Sequence, residues 1–198
     1  MAAASTTFTI VLPPGWVRIA VNDQTERNIR LLIADAVASA PPDQAAELRS
    51  FLRRTIANAV ARAREQRATD VILSRQQAGS IAVPASIIVA RQPNKTAGDQ
   101  GARQQLIALA MRKDSDVVEL DGYVAVRRQK YGAATDDSPA HRSVSYAAYL
   151  PPDDEWIVFT ASVVWSDDPA IEPALETVQL LIDTMMSTVR FQSPEVTA

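Results

Sequence analysis

The chain has 198 residues, of which 47% are hydrophobic, so it can bury one substantial core and lies within the usual length of a single domain. Its formal net charge of −3 provides no global attraction to nucleic acid or to an anionic membrane. It contains no cysteine and one histidine, which excludes disulfides, thiolate chemistry and metal sites built on cysteine or on several histidines.

The first third of the chain predicts one strand and two helices. Residues 8–12 form an apolar run that stops at Pro13-Pro14-Gly15, which is typical of a strand followed by a turn. Apolar residues then recur at helical spacing from Asp23 onwards. After Pro41-Pro42 a second and longer helix is predicted over residues 43–67.

The middle of the chain predicts a strand pair and a short helix. Residues 71–74 and 81–90 are apolar runs, and Pro84 in the second indicates an edge strand or a bulge. Residues 95–99 are predicted to form a loop. A weaker helical pattern follows over residues 102–111.

The strongest local signal is a hairpin. Residues 117–120 and 123–128 flank Asp121-Gly122, a pair that tolerates the positive φ of a type I′ turn. The polar stretch 132–142 is predicted to be a loop.

The last part of the chain predicts two strands and a closing helix. Residues 144–150 alternate like a half-buried strand, whereas 156–165 are largely apolar on both alternating faces. The second run therefore predicts a central strand with helices above and below it. A helix is predicted to begin between Asp168 and Pro173, and Phe191 marks a possible final short strand.

This order of elements predicts the α+β class, with an α/β/α sandwich whose mainly antiparallel sheet is covered by helices on both faces. One domain is expected over residues 1–192, followed by a short tail at 193–198. The start of the chain does not resemble a secretory signal, so a cytoplasmic bacterial protein with no membrane insertion is expected.

Three segments resemble the PsbP-like superfamily. They are Leu12-Pro13-Pro14-Gly15-Trp16, the strand pair around 149–151 and 156–164, and the end of the closing helix at 188–191. The superfamily includes PsbP, the Ran-binding Mog proteins, bacterial DcrB-type proteins and mycobacterial LpqN-type lipoproteins. The resemblance implies an α/β/α sandwich and a binding role without catalysis. Because this chain lacks a lipobox cysteine, the envelope location of LpqN-type proteins is not expected to transfer.

Catalytic and ligand-binding patterns are weak. His141 is the only histidine and lies in the turn-rich stretch 136–142, so an exposed loop histidine is favoured over a general base. The stretch from Thr96 to Gly101 contains Gly-x-x-Gly but lacks the Lys-Ser/Thr of a phosphate loop, which favours a plain loop. Adjacent aspartates are interpreted as solvated turns and helix caps rather than calcium ligands, and they occur at 136–137, 153–154 and 167–168.

The long second helix carries the most distinctive surface. Four arginines fall in one sector that borders its apolar stripe, namely Arg49, Arg53, Arg64 and Arg67. Their stems could simply cover the edge of the core. The alternative is a surface that recognises an acidic partner through guanidinium–carboxylate pairs. The tryptophans Trp16, Trp156 and Trp165 are interpreted as core or strand-end packing rather than as the lining of a ligand pocket.

The leading hypothesis is a non-catalytic protein-interaction module, an adaptor or chaperone that binds another protein through the four arginines. The alternatives are a small-molecule or lipid-binding domain with a cleft between sheet and helices, and a hydrolase that uses His141. Nucleic-acid binding ranks last. No cofactor and no metal are expected, and the oligomeric state is left open.

Overall fold

The computed structural model describes residues 6–38, 41, 45–74, 85–96, 98–133, 140–164 and 172–192. These residues form a mixed α/β fold with a seven-stranded antiparallel sheet, a separate two-stranded sheet, four α-helices and one 3-10 helix. In chain order the elements are β1 (Thr7–Thr9), β2 (Trp16–Ala20), α1 (Thr25–Ala38), α2 (Ala45–Glu65), β3 (Ala68–Ser74), β4 (Ala85–Pro93), α3 (Gly98–Ala110), β5 (Ser115–Leu120), β6 (Tyr123–Gly132), β7 (His141–Leu150), a 3-10 turn (Pro151–Asp153), β8 (Glu155–Val164), α4 (Glu172–Ser187) and β9 (Arg190–Gln192).

The large sheet has the strand order β2-β3-β4-β8-β7-β6-β5. The strand β8 lies at its centre, where Ala161 stands between Ile87 of β4 and Val144 of β7. The central position predicted for residues 156–165 is therefore confirmed for the part that is described. The short strands β1 and β9 pair with each other, with Thr7 opposite Gln192.

The main core lies between β8 and α4. Alternate residues of β8, including Ile157 and Phe159, are fully buried and pack in the same cluster as Ile182 and Met186 of α4. The ring of Phe8 from β1 meets Phe159 edge-on at 5.2 Å between centroids. These contacts attach the small sheet to the large one through a shared apolar interior.

Two further groups of contacts place the other helices. The helix α3 packs through Ala102 against Tyr149 and Trp156, and α1 and α2 pack around Ile19 of β2. The mixed α/β character and the antiparallel sheet are thereby established. Their finer arrangement as a sandwich with helices on both faces stays a prediction, as does the single domain over residues 1–192.

The hairpin between β5 and β6 is confirmed. Leu120 stands opposite Tyr123, and the two residues between them, Asp121 and Gly122, have φ values of 50° and 81°. Positive φ at both central positions defines the type I′ turn, whose twist matches that of the strands it joins.

The prediction for the first strand was wrong in its extent. The strand β1 covers only Thr7–Thr9, and β2, which the sequence analysis did not predict, follows the turn. Arg18 lies at the centre of β2 and interrupts the apolar pattern from which a strand could have been predicted. Arg18 is accommodated because its Nε donates to Asp70 at 2.7 Å and its guanidinium lies 3.9 Å above the ring of Phe8.

The predicted loop over 132–142 was wrong at both ends. Gly132 ends β6 and His141 begins β7, and the two residues stand opposite each other. Backbone pairing can extend a hairpin through polar residues because the ladder does not depend on their side chains. Residues 134–139 lie outside the described part of the chain.

The helices differ from the predictions mainly at their ends. The helix α3 begins at Gly98, which moves its start into the predicted 95–99 loop, and α4 begins within the predicted interval, at Glu172. Residues 81–84 and the tail 193–198 lie outside the described residues. Within the described ranges, none of the helices combines the length and the apolar composition that a membrane crossing requires.

We expect Phe159→Ala to lower the free energy of unfolding by about 3–5 kcal/mol, because the truncation opens a cavity in a fully buried site. Urea denaturation followed by circular dichroism measures this change. The matched control is Leu31→Ala on the exposed side of α1, for which a change within about 0.5 kcal/mol is expected. Equal effects of the two substitutions would contradict the placement of the core.

Candidate interaction surface

The helix α2 is held by its apolar stripe. Ile56 and Val60 are buried against Ile29 and Ile33 of α1 and against Ile19 of β2. This anchorage explains why a helix with many arginines folds onto the protein. Among the described positions of α2, Arg49, Arg53 and Arg64 are exposed to solvent.

Three of the four predicted site residues lie on this helix. Arg49, Arg53 and Arg64 all occupy exposed positions of α2, which is compatible both with stems that cover the edge of the core and with a binding surface. Arg49 and Arg53 are four residues apart and therefore project from neighbouring turns of the same side.

The fourth predicted residue, Arg67, is not on the helix. The helix ends at Glu65, and Arg67 adopts a left-handed conformation with φ of 56° while its N–H donates to the Arg64 carbonyl at 3.0 Å. This reversal starts the turn into β3 at Ala68. The prediction that Arg67 continues the helical sector was therefore wrong, although the side chain is exposed.

The arginines of α2 differ in whether a carboxylate lies beside them. Arg64 lies 3.7 Å from Glu26 of α1, and both side chains are exposed, so the pair contributes at most about 1 kcal/mol. Arg49 and Arg53 make no salt bridge within the part of the chain that the structure describes. Arg49 and Arg53 are therefore exposed on α2 without a described salt-bridge partner, whereas Arg64 has one.

Inside the protein, ionisable groups hold elements together. Arg127 of β6 binds Asp183 of α4 in a bidentate pair, with Nε–Oδ1 and Nη2–Oδ2 distances of 3.1 Å. The hydroxyl of Tyr146 on β7 donates to the same carboxylate. Burial raises the pKa of Tyr146, and the hydrogen bond to Asp183 raises it further.

A second ionic cluster fixes the start of β1. The guanidinium of Arg91 lies 3.3 Å from Asp153 and 3.0 Å from Glu155, and it also donates to the carbonyl of Thr6. The N–H of Thr6 donates to Asp153 at 2.9 Å. The interpretation of Asp153 as a solvated turn residue was wrong, because its side chain is largely buried in this cluster.

The neighbouring residue Asp154 belongs to a third group. Its carboxylate accepts hydrogen bonds from Asn94 and from the Tyr149 hydroxyl, at 2.9 and 2.8 Å. The bond from Asn94, followed by the one from Tyr149, lowers the pKa of Asp154. The pKa of Tyr149 is raised mainly by its bond to Asp154, then by burial, and also by its bond to Asp99.

The two other weak motifs also have structural explanations. His141 is half-buried in β7, and its ring occupies the space that a Cβ on Gly132 would need. The prediction of an exposed loop histidine was therefore wrong. At the start of α3, the Asp99 carboxylate accepts a hydrogen bond from the Tyr149 hydroxyl at 3.0 Å, and a Cβ on Gly101 would lie 2.6 Å from Thr96.

The region between α4 and the sheet is nearly filled. A cavity lined by residues such as Val144, Ala161 and Ile182 measures about 10 Å³, which is at the lower limit for a single water molecule.

Trp156 is buried beside Tyr149, so core packing is confirmed for this tryptophan. Trp165 and the aspartates at 136–137 and 167–168 lie outside the described residues.

The comparisons with known proteins include a similarity to a solved structure. The chain is similar to LpqN of Mycobacterium tuberculosis, which is described as involved in cell envelope biogenesis. The identity is 12%, the TM-score is 0.49, and the alignment covers 97% of this chain and 86% of LpqN. The similarity supports the predicted resemblance to LpqN-type proteins only, and the resemblance to PsbP stays a prediction. No protein-family profile and no curated protein matches the chain.

The raised pKa of Tyr146 predicts a loss of stability at high pH. The unfolded phenol ionises near pH 10, whereas the folded protein keeps it neutral, so its contribution is complete below about pH 10 and is lost as the pH rises further. We expect Tyr146→Phe to reduce the alkaline decline of the free energy of unfolding, measured by urea denaturation at a series of pH values. The missing hydrogen bond adds a pH-independent loss of about 1 kcal/mol, which is measured at pH 7. Parallel declines of wild type and variant above pH 10 would show that this prediction is wrong.

Proposed function

We propose that the protein is a non-catalytic protein-interaction module, an adaptor or chaperone that binds an acidic surface of another protein through α2. The observation that carries this proposal is the exposure of Arg49 and Arg53 on neighbouring turns of α2, without a carboxylate of the described chain in salt-bridge contact. Arg64 extends the same side of the helix.

The chemistry of the surface supports a protein carboxylate as the ligand. A guanidinium group presents a planar fork of N–H donors that matches the two oxygens of Asp or Glu. Because Ile56 and Val60 anchor α2, the backbone that carries the arginines is already ordered before binding. Binding then orders side chains only, which keeps its entropic cost low.

The pairing of buried charges supports the non-catalytic part of the proposal. The carboxylates of Asp70 and Asp153 are largely buried, and each is paired with an arginine of another element, Arg18 and Arg91. The half-exposed Asp183 is paired with Arg127. Removing Arg18 or Arg91 would leave a largely buried carboxylate without its charged partner. These residues are therefore assigned to stability rather than to chemistry.

The geometry favours a protein partner over a small molecule or lipid between α4 and the sheet. The cavity lined by Val144, Ala161 and Ile182, at about 10 Å³, is far smaller than the several hundred Å³ typical of ligand pockets. An exposed helix face needs no such cavity.

The proposal includes a finer arrangement of the fold and a location. Successive residues of a strand point to opposite faces, and α3 packs on Trp156 while α4 packs in the cluster of Ile157. This alternation supports an α/β/α sandwich. We further propose a cytoplasmic location, which cell fractionation with an antibody against the native chain would test.

The experiment is affinity capture from the native host with the tagged full chain, followed by reconstitution with the purified partner. We expect Arg49→Glu/Arg53→Glu to weaken binding at least tenfold, equivalent to about 1.4 kcal/mol, because charge reversal replaces attraction by repulsion. The affinity is measured by isothermal titration calorimetry.

The matched control is Arg103→Glu/Arg112→Glu, which reverses two exposed charges on α3 and just beyond it. This control is expected to retain the wild-type affinity within about threefold. The proposal fails if the α2 variant, shown to be folded by circular dichroism, binds the partner as tightly as the wild type.

A further inference from the structure

The strand β5 is an edge of the large sheet. It pairs with β6 on one side, and among the described residues no strand pairs with its other side. In a two-residue hairpin the flanking pair, Leu120 and Tyr123, exchanges both backbone hydrogen bonds. Alternate residues then direct their N–H and C=O groups away from β6, and these are Ser115, Val117 and Glu119.

The side chains around this edge are unusually apolar. Val117 of β5 and Val124 of β6 are 64% and 56% exposed, and they lie on the same side of the hairpin. The helix α3 packs beside both strands and carries Ile107 close to its C-terminal end, followed by Met111 in the next turn, at 60% and 82% exposure. Edge strands are commonly protected by charged side chains, proline or a bulge. The strand β5 contains the acidic residues Asp116 and Glu119 but no lysine, proline or bulge.

Polar atoms beside the edge lack partners. Ser115 stands opposite Arg128, and both the hydroxyl of Ser115 and the Nε of Arg128 are buried without a hydrogen-bond partner among the described residues. Glu119 lies on the same side of β5 as Ser115 and is exposed, and among the described residues its carboxylate accepts only the N–H of Gly122, at 3.2 Å. This carboxylate is therefore a polar group of the edge that another chain can reach.

We infer that β5 pairs antiparallel with β5 of a second copy of this chain, about a two-fold axis at Val117. The outward-facing residues are symmetric about Val117, so the axis places Val117 opposite Val117 and Ser115 opposite Glu119 of the second copy. Each of these pairs exchanges two backbone hydrogen bonds, and the two sheets become continuous.

This register also pairs the charges. It brings Glu119 next to Ser115 of the second copy in the backbone register and in line with Arg128 of that copy, whose Cα lies two strand spacings away, at about 10 Å. The long side chains of Glu119 and Arg128 together span this distance. A shift of the register by two residues moves Glu119 away from Arg128 of the second copy. It also reduces by one the number of outward-facing residue pairs that exchange backbone hydrogen bonds. The register centred on Val117 is therefore the one in which the two edges match.

The exposed apolar residues also support a second copy of this chain as the partner of β5. The axis is perpendicular to the sheet, so the exposed side of each hairpin continues into that of its neighbour. Val117 then meets Val117 of the second copy, and apolar surface is removed from water on both chains. The inference does not rest on the proposed function, which uses α2 on another part of the molecule.

Sedimentation velocity of the purified full chain tests the inference. We expect a dimer whose dissociation constant rises at least tenfold in Val117→Lys, because the axis would bring two ammonium groups together. Glu119→Lys and Arg128→Glu alone should each weaken the dimer severalfold, and the double variant should restore it. Glu65→Lys, on α2, is the matched control and should leave the dissociation constant unchanged.

Hydrogen exchange provides a second readout that does not depend on the variants. The amides of Val117 and Glu119 should become protected as the protein concentration rises, whereas the amide of Val118, which points to β6, should be protected throughout. A chain that stays monomeric at about 100 µM overturns the inference. So does a dimer that Val117→Lys leaves intact, or a double charge variant that is no better than the single ones.

Discussion

The packing of α4 against the centre of the sheet is the constraint on which the other contacts depend. Phe159 and Ile182 are fully buried at this contact, yet Asp183 follows directly on the same helix. The helix cannot bury its apolar side without bringing this carboxylate close to β6 and β7. Arg127 and Tyr146 meet it there, so the apolar core and its polar border form one unit.

The sequence predicts best those elements whose cause is local. The Asp121-Gly122 hairpin follows from the φ preferences of two residues, and the helical periodicity that begins after Asp23 corresponds to α1. The strand β2 and the start of β7 were missed because their signals are tertiary. Arg18 is tolerated in a strand only because Asp70 lies on the neighbouring strand, and His141 belongs to β7 only because Gly132 leaves room for its ring.

The same distinction applies to the functional surfaces. Helical geometry was sufficient to place Arg49, Arg53 and Arg64 on one helix, but it could not show that the chain turns before Arg67. The edge at β5 had no sequence signal, because an edge is defined by strand order and the hydrophobic pattern does not determine which strands are neighbours. The hydroxyl of Ser115 and the Nε of Arg128, which lack hydrogen-bond partners among the described residues, are brought together only by the pairing of β5 with β6.

The pairing of β1 with β9 has a mechanical consequence. Thr7 stands opposite Gln192, so the chain enters and leaves the described fold at one point, with Phe8 opposite Phe191 and Thr9 opposite Arg190 behind it. A force that pulls the N-terminal side of β1 away from the C-terminal side of β9 loads the backbone hydrogen bonds of this pair one after another, in the unzipping geometry. Thr6 precedes β1, and its contacts with Arg91 and Asp153 lie between the pulled end and the small sheet. These contacts therefore bear the force first, and the pairs of β1 with β9 separate only after they have been released.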